Sequence, residues 1–143
     1  MKSKNFTYNI SITAIMAALV FLGTFFIKIP MPGVGGYFHL GDAFIFIAAA
    51  FLPKRYAVCS AAIGATLADL LSGYAVWAPW TFFIKAIMVL VFVKAAENNF
   101  ISLKTILTVI LGGLINISGY YIAEAVIYGN WIAPAVSIPF NAI

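Results

Sequence analysis

The chain has 143 residues, of which 64% are hydrophobic and 8% charged, and a formal net charge of +4. A soluble domain carries about 25% charged residues, so this chain cannot cover a water-facing surface and reads as an integral membrane protein. Its few scattered basic residues exclude a nucleic-acid-binding face, and its single cysteine, Cys59, excludes a disulfide framework and a thiolate metal cluster.

Taken in order, Lys2 and Lys4 precede an apolar run from Ile10 to Ile27. The run is too long for the apolar region of a signal peptide, and no cleavage site follows it. It predicts a retained first span, from about Asn9 to Ile29, closed by Pro30. The segment Pro30 to Gly36, PMPGVGG, is broken repeatedly by Pro and Gly and cannot be helical. Span two is short, about Tyr37 to Leu52, with Asp42 in its first turn. Pro53, Lys54 and Arg55 form the next turn. Span three runs from Tyr56 to Tyr74, and Ala75 to Ala78 lead into span four, Pro79 to about Ala96. Glu97 to Lys104 is the most polar loop, and span five follows from about Thr105 to Tyr128. Gly129, Asn130 and Trp131 close it, and Pro134 suits the first position of a sixth helix. From Pro134 to Ile143 the chain has room for roughly 15 Å of helix, about half of a hydrocarbon core near 30 Å. The expectation is therefore an all-α, polytopic membrane helical bundle, a single domain over residues 1–143, with six transmembrane helices and the last incomplete.

Basic residues set the orientation. Lys2, Lys4, Lys54, Arg55, Lys94 and Lys104 fall at one set of span ends, and the opposite ends carry only Lys28, with His39 nearby. The positive-inside rule then predicts a cytoplasmic N-terminus. The Pro30–Gly36 loop, the Tyr74–Pro79 turn and the Gly129–Trp131 turn are expected to face outward.

Three polar stripes at helical spacing share that outward half: Thr66, Asp69 and Gly73; Trp77, Thr81 and Lys85; Asn116, Tyr120 and Glu124. Asp69 lies roughly 7 Å below its helix end, Lys85 roughly 9 Å and Glu124 roughly 6 Å. Asp42 enters the same layer from span two. An ionised side chain at the centre of a bilayer helix is disfavoured by at least about 2.5–3.5 kcal/mol and needs a partner, a cavity or a ligand. The structural alternative is that these charges neutralise one another and hold the bundle together. Intramembrane polar contacts average only about 0.6 kcal/mol, so three carboxylates around one buried Lys make an expensive packing device. With Trp77, Trp80, Tyr74, Tyr120 and Tyr121 close by, the layer fits a small polar ring ligand better. Some of these aromatics could instead form an interfacial belt. Ala14 and Ala18 form a small-xxx-small pair on span one, with Ser11 on the same face, suited to close helix approach; internal packing is the alternative. Span three repeats that spacing in Ser60, Gly64 and Ala68.

Enzyme constellations are missing from the sequence. His39 is the only histidine, and neither H-E-x-x-H, G-x-S-x-G nor a Walker A sequence occurs. No catalytic residue, metal ligand or cofactor of its own is expected in this chain.

The blocks GGYFHLGDAFIFIAAAFLPKRYA, GATLADLLSGYAVWAPWTFFIKAIM, GGLINISGYYIAEAVIYG and SIPFNAI, spread over nearly the whole chain, resemble the substrate-binding (S) components of energy-coupling factor (ECF) vitamin transporters. Within them the chain is similar to the group associated with pyridoxine or hydroxymethylpyrimidine uptake. The most specific block is ADLLSGY followed by W-x-P-x-T-x-x-I-K. The resemblance implies a multi-pass protein of the bacterial cell membrane that captures a vitamin near the outer face under a lid formed by the loop after helix one. It implies a membrane-embedded T component and two ATP-binding-cassette ATPases as partners, ATP being used by those ATPases. Family members contact the T component through an Ala-x-x-x-Ala motif on helix one, matched here by Ala14 and Ala18.

The candidate substrate contacts are His39, Asp42, Asp69, Tyr74, Trp77, Trp80, Thr81, Lys85, Asn116, Tyr120, Glu124 and Asn141, with Gly33, Gly35, Gly36 and Tyr37 in the lid. Specificity for thiamin, riboflavin or a queuosine precursor is the alternative of the same kind. A non-transport membrane scaffold is the alternative of a different kind. An intramembrane enzyme using Asp42 and Asp69 lacks an activated nucleophile.

Overall fold

The computed structural model describes residues 6–30, 37–96, 102–136 and 138. It contains α1 (Phe6–Phe25), β1 (Lys28–Pro30), β2 (Tyr37–His39), α2 (Gly41–Phe51), α3 (Lys54–Leu71), α4 (Ala78–Ala96) and α5 (Leu103–Tyr128), followed by a 3-10 turn at Ala133–Val136.

Local chemistry explains most of the boundaries. Leu52 is extended, at φ −98° and ψ 149°, because the ring of Pro53 disfavours the helical region for the residue before it. Pro53 then starts α3, its carbonyl accepting from the Tyr56 and Ala57 N–H groups. At the far end, Gly73 adopts φ +85°, a conformation other residues resist. It lets the Tyr74 N–H turn back to the Asp69 carbonyl at 2.9 Å, which closes the helix. Ser102 caps α5 by accepting from the Thr105 N–H at 3.2 Å, and Gly129, at φ +62°, ends it.

Helical content is as expected, and several boundaries move. Span one stops at Phe25 rather than Ile29, because the chain leaves the helix to form β1. β1 pairs antiparallel with β2 in the register Lys28 to His39, Ile29 to Phe38 and Pro30 to Tyr37. Span two loses Tyr37–His39 to that ribbon, leaving an 11-residue helix. At 1.5 Å per residue this is roughly 16 Å, too short to cross a bilayer by itself. α3 starts two residues earlier than Tyr56 and ends at Leu71. The described residues hold five α-helices, and the segment expected to begin span six is a single 3-10 turn.

α1 and α5 are long and apolar enough to cross a membrane, with α2 and α4 as shorter apolar helices. α1 contains no charged residue, and α5 only Lys104 and Glu124. Large apolar side chains cover the outside of the bundle, among them Ile15, Leu22, Phe83, Ile87, Ile110 and Val126. Such a surface suits hydrocarbon and not water.

The helices pack in sequence, α1 on α3, α3 on α4 and α4 on α5, with α2 wedged against α1, α3 and α4. α3 lines the core with small residues: Ala57, Ala61, Ala62, Ala65 and Ala68 are buried. Val20, Ile45, Met88, Val89 and Phe92 fill the space between them. A Cβ on Gly64 would lie 2.5 Å from the Ala17 carbonyl oxygen, so only glycine permits this approach of α1 to α3.

Candidate functional site

The polar stripes of α4 and α5 run antiparallel and meet face to face. Lys85 is fully buried. Its ammonium donates to Asp42 Oδ1 at 2.7 Å, to Asp42 Oδ2 at 2.9 Å and to Asn116 Oδ1 at 2.8 Å, while lying 5.4 Å from the centre of the Tyr120 ring. One turn towards the α4 N-terminus, the Thr81 and Tyr120 hydroxyls share a hydrogen bond of 2.9 Å. A further turn along, Trp77 sits 6.4 Å from the Tyr120 ring and 6.1 Å from the Tyr128 ring. Spacing on the two helices produces this ladder: Trp77, Thr81 and Lys85 on one, Asn116, Tyr120, Glu124 and Tyr128 on the other, each four residues apart.

Asp42 reaches Lys85 because β2 delivers the chain to the start of α2 directly beside α4. The Asp42 side chain keeps 28% of its surface and Lys85 only 1%. The carboxylate therefore sits at the mouth of the cluster and the ammonium at its floor. Beside them, the Gly41 N–H donates to His39 Nδ1 at 3.0 Å, which leaves the ring proton of neutral His39 on Nε2. Burial lowers the His39 pKa to about 4, helped by the Lys85 charge and opposed by Asp42. His39 is thus uncharged at neutral pH.

Asp69 and Glu124 are both buried, on α3 and α5. The sequence reading placed Asp69, Lys85, Glu124 and Asp42 in one layer without assigning partners; the Lys85 ammonium holds Asp42 and Asn116, drawn from α2 and α5. Tyr74 and Trp80 are half-buried. Gly33, Gly35, Gly36 and Asn141 lie outside the described residues, and Tyr37 opens β2. Ala14 and Ala18 are exposed on α1. The seam with α3 runs instead through Ala17 and Val20. Two residues join the site that the sequence reading passed over. Tyr128 continues the α5 stripe by four residues, and that periodicity was available to find it. Gly41 is placed only by tertiary contact. Among the described residues, no group of three or more His, Cys, Asp or Glu could hold a metal ion.

The fold and this cluster define a membrane-embedded helical bundle with a polar, aromatic-walled side-chain layer near one end. The chain belongs to the family described as the ECF-type riboflavin transporter, S component, whose model matches residues 4–143. That family is a substrate-binding component of transporters and not a family of enzymes. A protein of Pyrococcus woesei described as "Uncharacterized protein in gap 3'region" is 31% identical over 109 residues, covering 74% of this chain and 71% of that protein.

Proposed function

We propose that this chain is the vitamin-capture subunit of an ECF transporter, and that the Asp42–Lys85–Asn116 layer is its substrate site. The observation that carries the reading is a fully buried lysine held by side chains from two other helices, directly beneath Thr81, Tyr120 and Trp77. Aromatic faces suit a flat heterocycle, and the Asp42 carboxylate at the mouth suits its N–H and O–H groups. Riboflavin is the first vitamin to test, since the family description names it. Pyridoxine and hydroxymethylpyrimidine come next, on the strength of the sequence blocks.

The site end faces outward in this proposal, because Lys54, Arg55 and Lys104 sit at the opposite helix ends. Ala14 and Ala18 dock the T component, which works with two ATPases that use ATP. No cofactor is assigned to this chain.

The test is titration of the purified protein, in detergent, with riboflavin, pyridoxine, hydroxymethylpyrimidine, thiamin and a queuosine precursor, followed by quenching of Trp77 and Trp80 fluorescence. One vitamin is expected to quench saturably at micromolar concentration or below. Silence across the whole panel would favour the scaffold reading.

A further inference from the structure

Thr24, in the last turn of α1, is 2% exposed, and its hydroxyl oxygen has no hydrogen-bond partner among the described residues. A helical threonine commonly bonds the carbonyl a turn earlier, as Thr13 does to Asn9 at 2.6 Å. Thr24 does not. Its oxygen lies 1.9 Å from where a Cβ on Gly41 would stand, so it packs directly against the Gly41 backbone in the space that a side chain would occupy. Gly41 is also held by His39 Nδ1, which accepts its N–H at 3.0 Å and lies 2.9 Å from that same Cβ position. Leu40, at the N-cap of α2, provides no side-chain cap, so the Thr24 and His39 contacts at Gly41 help to fix where the helix begins. The next residue is Asp42, and the three Lys85 hydrogens are all taken by Asp42 and Asn116. A displacement of Gly41 would therefore strand a buried N–H.

We propose that Thr24 is a positioning residue for substrate capture, acting through Gly41 to seat Asp42 on Lys85. The inference rests on the reading of the Lys85 layer as the substrate site. It assigns a site role to α1, where the sequence offered a partner-facing or internally packed face and no site residue.

The test uses two readouts on the same detergent-solubilised protein. One is amine-reactive labelling of Lys85 measured by mass spectrometry, with exposed Lys54 as internal reference; the other is riboflavin titration. Gly41→Ala drives a methyl group into the Thr24 oxygen, and is expected to raise relative Lys85 labelling and weaken riboflavin binding, each by roughly tenfold or more. Adding Thr24→Ala removes the nearest obstruction, leaving the new methyl 2.9 Å from His39 Nδ1 and 3.1 Å from the Cβ of residue 24, and should reverse a large part of both effects, a non-additive outcome. Thr24→Ser, which keeps the oxygen, should match the parent.

Unchanged labelling in a folded Gly41→Ala protein, or strictly additive effects in the double variant, would overturn the proposal. Should Gly41→Ala fail to fold, Thr24→Val and Thr24→Ser decide the matter. Valine puts a methyl group where the oxygen stood and should expose Lys85, whereas equal labelling of the two variants would overturn the proposal. If the labelling pattern holds while riboflavin and the rest of the panel fail to bind, the capture function falls and the seating of Asp42 by Thr24 stands.

Discussion

The α1–α3 seam and the α4–α5 seam solve the same packing problem with different chemistry. Between α1 and α3 the backbones approach at Gly64, against Ala17 and Val20, and alanines line the α3 side. Between α4 and α5 Gly119 packs against Ile84 and Gly112 against Met88. Over the α4 N-terminal half that seam also carries Lys85, Asn116, Thr81, Tyr120 and Trp77. Small residues are sufficient to hold transmembrane helices together, as the first seam demonstrates. Packing alone therefore does not account for a buried cation and its partners in the second.

The sharpest way to break this comparison is at Lys85. Replacing it with Met leaves the partly exposed Asp42 carboxylate without its cation, which is destabilising, by less than the roughly 3–5 kcal/mol of a fully buried pair. The thermal midpoint of the single variant should fall accordingly. Asp42→Asn combined with Lys85→Met removes both charges and should recover most of that loss while still failing to bind riboflavin. A double variant that is stable and binds normally would make the polar cluster one more packing seam.

The α1–α3 seam should behave in the opposite sense. Gly64→Val forces a side chain against the Ala17 carbonyl and Val20, an overpacking worth roughly 1–3 kcal/mol. Thermal unfolding should register the whole of it. Affinity of the folded fraction for whichever vitamin of the panel the parent binds should stay within about twofold, which is under 0.5 kcal/mol. A selective loss of affinity would mean that the seam transmits strain to the site.

Much of this difference was legible beforehand, for a definite reason. The four-residue spacing of Trp77, Thr81 and Lys85, and of Asn116, Tyr120 and Glu124, is a property of single helices. So are the glycine and proline signals at Gly73, Gly129 and Pro53. The partner of Lys85 is not. Asp69 is nearer along the chain, but the β1–β2 ribbon returns the chain to the start of α2 and brings Asp42 against α4. That ribbon was read as part of two helices, because Lys28–Pro30 and Tyr37–His39 are too short to show a strand period. Gly41 likewise carries no local signal; its need for a hydrogen in place of a side chain comes from Thr24.

Within the α4–α5 seam, Tyr120→Phe provides a finer test. It removes the hydrogen bond to Thr81 and keeps the ring beside Lys85 and Trp77. A net hydrogen bond is worth about 1 kcal/mol, so affinity should drop by about fivefold with only a small change in thermal midpoint. No change in affinity would place the hydroxyl pair outside the site.

The smallest effect on the isolated protein is expected at Ala14 and Ala18, and that smallness is itself informative. Both are exposed, whereas Ala17 and Val20 carry the contact with Gly64. Substitutions at such positions change stability by no more than about 0.5 kcal/mol. Ala14→Leu and Ala18→Leu should therefore leave thermal unfolding and riboflavin titration unaltered in detergent. Against a partner helix the same leucines hold the backbones apart, so co-purification with a T component should be lost. Destabilisation of the isolated protein, or weaker riboflavin binding, would show that this face packs within the bundle. Retained co-purification would remove Ala14 and Ala18 from the partner surface.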